Sequence, residues 1–154
     1  PQFNVSFAIE EAETGEMTLV FEITTDSGYY FVSPHSEGLL QRLIFSTANT
    51  EYLSLTGELV ERPLTWQEVD GRSGKKGRFV RKQTTYYQSI NVKTETNFNV
   101  AGLIWLEILP SNQPYEVGFL VSKQAGKLTV EKISIQESSY PTFSDKKRLD
   151  VPVK

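Results

Sequence analysis

An all-β fold, built as an antiparallel β-sandwich, is the architecture this sequence predicts. Three observations point to it. Apolar and polar residues alternate with a period of two along most of the chain. No window of a dozen residues carries the 3.6-residue period of a helix. Gly-, Pro- and Asn-containing turns recur every dozen or so residues and leave about nine short strands.

The strands follow in order. Phe3, Val5, Phe7 and Ile9 alternate with Asn4, Ser6, Ala8 and Glu10, the pattern of a half-buried strand. Glu13-Thr14-Gly15 turns the chain, and Met17, Leu19, Phe21 and Ile23 repeat the alternation, so the two strands read as a hairpin. Asp26-Ser27-Gly28 is a second turn, Tyr29 to Val32 a short aromatic strand, and 33–38 a loop. Leu39–Phe45 and Tyr52–Leu55 are further strand candidates. Thr56-Gly57 reads as a turn, with Glu58–Glu61 extended up to Arg62-Pro63.

From Leu64 to Lys76 the periodicity disappears, and the segment reads as a long loop, a length that is often functional in a compact domain. Arg78–Gln83 and Tyr86–Val92 are extended, with Tyr86, Gln88, Ile90 and Val92 on one face. Val100 to Ile108 is apolar on both faces, as expected of a covered or central strand. Leu109-Pro110-Ser111-Asn112-Gln113-Pro114 breaks it. Val117, Phe119 and Val121 form the next strand, Ala125-Gly126 a turn, and Leu128, Val130, Ile133 and Ile135 the last. The parity change between Val130 and Ile133 predicts a bulge there. Residues 1–136 read as a single domain and 137–154 as a polar tail or edge segment.

Composition narrows the chemistry. The chain has 154 residues, 16 Lys+Arg, 19 Asp+Glu, one His and no Cys, for a net charge of -3. Without Cys it has no thiolate nucleophile, disulfide, Cys-ligated zinc or iron–sulfur cluster, and a lone His35 builds no His-based metal site. No metal or other cofactor is expected. A mildly acidic chain has no general attraction to nucleic acid, and no nucleic-acid partner is expected. No run approaches the roughly 18 apolar residues of a transmembrane helix, and no leader is read in the opening Pro1-Gln2-Phe3.

Four groups of residues invite a functional reading. Ser33 and Ser36 flank His35, but no strained nucleophile turn or orienting carboxylate accompanies them, and an exposed loop His beside turn-forming serines is expected. Glu10, Glu11 and Glu13 are expected to be solvated acids of a hairpin turn rather than a catalytic pair. Arg72, Lys75, Lys76, Arg78, Arg81 and Lys82 form the main charge asymmetry. They read as a solvated loop and a Lys/Arg-protected edge rather than as a phosphate-binding face built with Trp66 and the tyrosines. Tyr29, Tyr30, Tyr86 and Tyr87 are a candidate aromatic platform, which with Trp66 would suit a carbohydrate or other small ligand.

The order of segments also resembles a known family. "VSFAIEEAETGEMTLVFEITTDSGYYFVSP" looks like the opening of the N-terminal periplasmic domain of DsbD-type thiol:disulfide interchange proteins. "YLSLTGELVERP", "RFVRKQTTYYQSINVK" and "FNVAGLIWLEILPSNQPYEVGFLV" are similar to that domain's later strands, so the resemblance covers about residues 3 to 122. It implies an immunoglobulin-like sandwich and a periplasmic or otherwise exported protein. The family's activity runs through a Cys pair. Leu109 stands where the resemblance puts the first Cys, and the loop of the second is shortened to Pro110-Ser111-Asn112-Gln113 before Pro114. Exchange needs a thiolate, so the redox activity does not carry over. The segment Val69–Gly77 corresponds to the family's cap over its Cys site, here rich in Gly and Lys. The resulting expectation is a non-catalytic exported domain that binds a protein partner. Its candidate binding loops carry Trp66, Arg72, Lys75, Lys76, Leu109, Ser111, Asn112 and Gln113. A carbohydrate- or small-ligand-binding module is the alternative.

Overall fold

The computed structural model describes residues 2–36, 44–47, 51–65, 67–69, 71, 74, 76–134 and 147–150. Among them there is no helix. Twelve strands are present: β1 (Phe3–Glu11), β2 (Met17–Thr25), β3 (Phe31–Val32), β4 (Ile44–Thr47), β5 (Leu53–Arg62), β6 (Gln67–Val69), β7 (Lys76–Val80), β8 (Gln83–Val92), β9 (Phe98–Ile108), β10 (Gln113–Gln124), β11 (Lys127–Ile133) and β12 (Lys147–Asp150). They form three antiparallel sheets, ordered β1-β2-β8-β5, β11-β10-β9-β4-β12 and β3-β7-β6.

The two larger sheets enclose the core. In β2 and β8, Leu19, Phe21, Ile23, Tyr86 and Ile90 are buried from one sheet, and β9 and β10 supply Val100, Ile104, Leu106, Phe119 and Val121 from the other. One ring contact bridges the layers, Phe119 to Phe7 at 5.2 Å, and within the four-stranded sheet Phe7 meets Phe21 at 6.2 Å and Phe21 stacks on Tyr86 at 5.0 Å. Such contacts add to the burial of the rings themselves. Gly102 lies directly opposite Phe119 in the β9–β10 ladder, and a Cβ there would fall 2.0 Å from the ring's Cζ. The glycine makes room for a ring lying flat over the backbone. β9 is buried on both faces over most of its length, as its two-sided apolar pattern predicts.

Three local expectations are corrected. The β10–β11 register runs unbroken from Gly118↔Ile133 to Gln124↔Lys127, so the last strand has no bulge there. β11 is an edge strand that buries Leu128 and half-buries Val130 on one face, while Ile133 is half-buried on the other without a break in the register. The irregularity sits instead in β5, between Thr56 and Val60, where Gly57 at φ 71 lets the strand continue rather than turn. Buried Gln88 donates from Nε2 to the carbonyls of Thr56 (2.9 Å) and Ser89 (3.1 Å), the last paired position before the irregularity, so a side-chain amide braces the ladder there. The segment read as a 64–76 loop contains a hairpin, with Gln67↔Arg78, Glu68↔Gly77 and Val69↔Lys76 paired. Three-residue β6 is exposed at Gln67 and Val69, so no apolar alternation announces it.

Of the strand expected over Leu39–Phe45, residues 39–43 lie outside the described residues; β4 begins at Ile44. β12 pairs with β4 at the edge of the five-stranded sheet.

Candidate functional site

The ladders place two loop clusters at opposite ends of the sandwich. One end gathers the start of β1, the end of β2 and the start of β8, because Phe3 pairs with Thr25 and Thr24 with Gln83. The Ile108–Gln113 connection joins it through Tyr30. The turn at Asp26 to Tyr29 (Tyr29 N–H to Asp26 O, 3.0 Å) delivers Tyr30 to Leu109. The two residues exchange backbone hydrogen bonds there, at 3.1 Å from the Tyr30 N–H and 2.7 Å from the Leu109 N–H.

At this end Leu109, 7% exposed, packs with Val32 and Phe79, and Tyr30 leans on the cluster. Phe79 follows the paired residues of the β6–β7 hairpin, so Leu109 packs beside the base of that hairpin. The Arg81 guanidinium carbon lies 4.4 Å over the Tyr30 ring and 5.5 Å from that of Phe79. The same guanidinium donates to both carboxylate oxygens of Glu68 on β6, at 3.1 and 3.2 Å. Both partners are well exposed, so the pair contributes at most about 1 kcal/mol. It steers the hairpin more than it stabilises the fold. Ser111, Asn112 and Gln113 are exposed, Asn112 in the left-handed region at φ 57, and Lys76 is exposed on β7. Trp66, Arg72 and Lys75 lie outside the described residues.

Beneath the hairpin lies a buried carboxylate. Glu61 shares the inward face of β5 with Leu59 and is 5% exposed. Its Oε1 accepts from Ser33 Oγ (2.6 Å) and from the Tyr86 hydroxyl (2.7 Å), and its Oε2 from the Thr65 N–H (3.2 Å) and hydroxyl (3.3 Å). Arg78 closes the cluster. Its N–H donates to Ser36 Oγ (2.8 Å), the Ser36 hydroxyl donates back to its carbonyl (2.9 Å), and its guanidinium donates to the Thr65 carbonyl. Burial, reinforced by the negative Glu61 beside it, pushes the Tyr86 phenol well above its ordinary value, so it remains a donor.

The expectation of an exposed Ser/His loop is corrected. Ser33 and Ser36 are buried and His35 half-buried. The His35 Nε2 lies 2.9 Å from the Leu59 carbonyl, while Ser33 Oγ is committed to Glu61. The ring does not reach the hydroxyl, and the hydroxyl does not reach solvent, so the group holds structure rather than attacking a substrate. Sequence reasoning missed Glu61. The available signal was an acid two residues after Leu59, on the same face of the strand, opposite the inward face of β8. Among the described residues no cluster of three or more His, Cys, Asp or Glu side chains exists to hold a metal.

The four tyrosines do not share a surface. Tyr86 is fully buried and stacks on Phe21 inside the core. Its face of β8, shared with Gln88 and Ile90, turns inward, which corrects its placement in a surface platform. Tyr87 points to the opposite side, on the outer face of the four-stranded sheet, beside Val60, Arg62, Glu10 and Glu11. Tyr30 meets Phe79 edge-on at 5.7 Å. Tyr29 lines a separate open cleft of about 580 Å³ together with Gln2, Phe3, Asp26 and Tyr115.

No family model matches this chain, and no curated protein matches it. Two solved structures are similar. The N-terminal domain of Neisseria meningitidis DsbD, in its reduced form, matches with a TM-score of 0.53 and 11% identity, covering 83% of this chain and 90% of that one. BcpA, the major pilin subunit of Bacillus cereus, gives a TM-score of 0.39 at 9% identity, with 84% of this chain set against 40% of that one. The chain thus shares the immunoglobulin-like β-sandwich of the DsbD N-terminal domain and carries no cysteine. At this identity the relationship is one of fold. Among the described residues no helix is long and apolar enough to cross a membrane.

Proposed function

We propose that this chain is a non-catalytic, exported β-sandwich domain that binds a protein partner through the end bearing the β6–β7 hairpin. One observation carries the reading. Two of the large hydrophobic side chains that stand exposed among the described residues, Leu64 (54%) and Val69 (64%), lie just before β6 and at its last residue, at the hairpin end, while the third, Val60 (40%), lies on the outer face of the four-stranded sheet. Exposed apolar side chains gathered in one segment mark an interaction surface more often than scattered ones do.

Further support is chemical. Exchange of disulfides needs a thiolate, and Leu109 stands where the resemblance puts the first cysteine, packed against Val32 and Phe79. Ser33 and His35 are tied up in structural hydrogen bonds. Export is inferred from the likeness to the DsbD N-terminal domain.

The test is site-directed photo-crosslinking in the cells that make the protein, with the probe at Val69 and, for comparison, at Lys127 in the opposite end. A discrete adduct from position 69 that is absent from position 127, and lost on Leu64→Lys, is the expected result. Equal labelling from both ends would sink the proposal.

A second reading, a small-ligand-binding module, is favoured by the cleft beside Tyr29. It has the volume of a small-molecule site and three aromatic side chains in its wall.

A further inference from the structure

We propose that the cleft formed by Gln2, Phe3, Asp26, Tyr29 and Tyr115 binds a small organic ammonium ion, of the quaternary or alkylated amine class. The inference rests on the small-ligand reading and supplies its ligand chemistry.

Three features of the cleft lead there. First, Phe3, Tyr29 and Tyr115 are each half-buried, so their rings form standing walls rather than loose surface groups. Phe3 and Tyr115 meet edge to face, with centroids 4.8 Å apart and planes at 65°. At that separation the two rings touch, the edge of one on the face of the other, and together they form one part of the cleft wall. Second, the floor is fixed. The Tyr115 hydroxyl donates to Gln2 Oε1 at 2.9 Å, and the Asp26 N–H donates to the Gln2 carbonyl at 2.9 Å. Third, the charge has one sign. The Asp26 carboxylate has no side-chain partner among the described residues, and none of the described lining residues is basic. Aromatic faces carry partial negative charge, and together with a free carboxylate they select cations over anions and over neutral molecules of the same shape.

The test is an NMR titration following the ring protons of Tyr29 and Tyr115. The probes are choline chloride, its uncharged carbon isostere and methyl glucoside, all at matched ionic strength. Choline is expected to give saturable shifts at both rings, with the isostere about tenfold weaker or worse. Asp26→Asn keeps the backbone bonds of the turn, so it is expected to fold normally and to weaken choline binding about tenfold, as is Tyr29→Leu. Equal affinity for choline and its isostere, or choline binding that ignores Asp26→Asn, overturns the inference. Saturation by methyl glucoside without choline overturns the ammonium assignment while leaving the small-ligand reading in place. No saturable shift with any of the three probes removes both.

Discussion

The two ends of the sandwich are closed by different means. At the end away from the hairpin the chain reverses in short turns. Gly15 sits at φ 88, and the Ala125-Gly126 pair sits at φ 51 and 78 between β10 and β11. Backbone conformation does most of the work there, in the manner of a tight hairpin. At the other end a third sheet is inserted, and side chains hold it. Glu61 gathers donors from Ser33, Tyr86 and Thr65, while Leu109, Val32 and Phe79 form their own small apolar cluster. The contrast teaches where variation is costly. One end depends on a few φ angles, and the other on a polar network that loses several bonds when one member is removed.

The sharpest way to break the comparison is Glu61→Ala. It strands the Ser33, Tyr86 and Thr65 donors in the interior, and a loss of about 3 kcal/mol or more is expected in urea unfolding. A loss below that of any turn substitution would show that the hairpin end is not held by this carboxylate.

Tyr86→Phe comes next, at about 1–2 kcal/mol near neutral pH, because Glu61 loses one donor. Its pH dependence carries a sign. The Tyr86 phenol titrates higher in the folded chain than in the unfolded one. Its contribution is therefore complete below the ordinary tyrosine value of about 10 and is lost as the pH rises through the folded value. The wild-type protein should thus lose its advantage over Tyr86→Phe in alkali. A gap between the two that stays constant up to pH ~11.5 in unfolding curves would contradict the burial of the phenol.

At the opposite end Gly126→Ala forces a Cβ into the left-handed region and should cost about 1 kcal/mol, with no other contact disturbed. If this change matches Glu61→Ala in thermal unfolding, the distinction between the ends fails.

The smallest effect is expected from Arg81→Ala, at or below about 1 kcal/mol, since the guanidinium and Glu68 are both well exposed. Its stabilising share should fade in roughly 1 M salt. Hydrogen exchange at Glu68 and Gly77 would register the loosened hairpin even where global stability barely moves.

Much of the sandwich was legible before folding. Phe3 to Ile9 and Met17 to Ile23 each face the core on one side only, so their alternation is a direct imprint of burial. β9 was legible as an inner strand because both its faces are covered. The β6–β7 hairpin was not, since three-residue β6 is exposed at Gln67 and Val69 and carries no periodic imprint, and its pairing with β7 is made by backbone groups common to every residue. Tyr86 illustrates a different limit. Its parity with Gln88 and Ile90 was readable, but a tyrosine suits a wet surface and a satisfied interior equally well. Glu61 is the matching case, an acid whose burial is tolerable only because partners 25 and 28 residues away in sequence converge on it.

What the sequence determined by itself is the period-two pattern, and with it the layered architecture, together with the loss of thiol chemistry. Both are local properties, set by side-chain alternation along a strand and by which atoms the chain contains. Only the tertiary structure decided which face of β8 is interior, that Leu109 would meet Phe79, and that Tyr29 would line a cleft with Tyr115, apart from Tyr30, Tyr86 and Tyr87. Those outcomes depend on strand order and register, which are set by the joint burial of distant strands and leave no mark within any one of them.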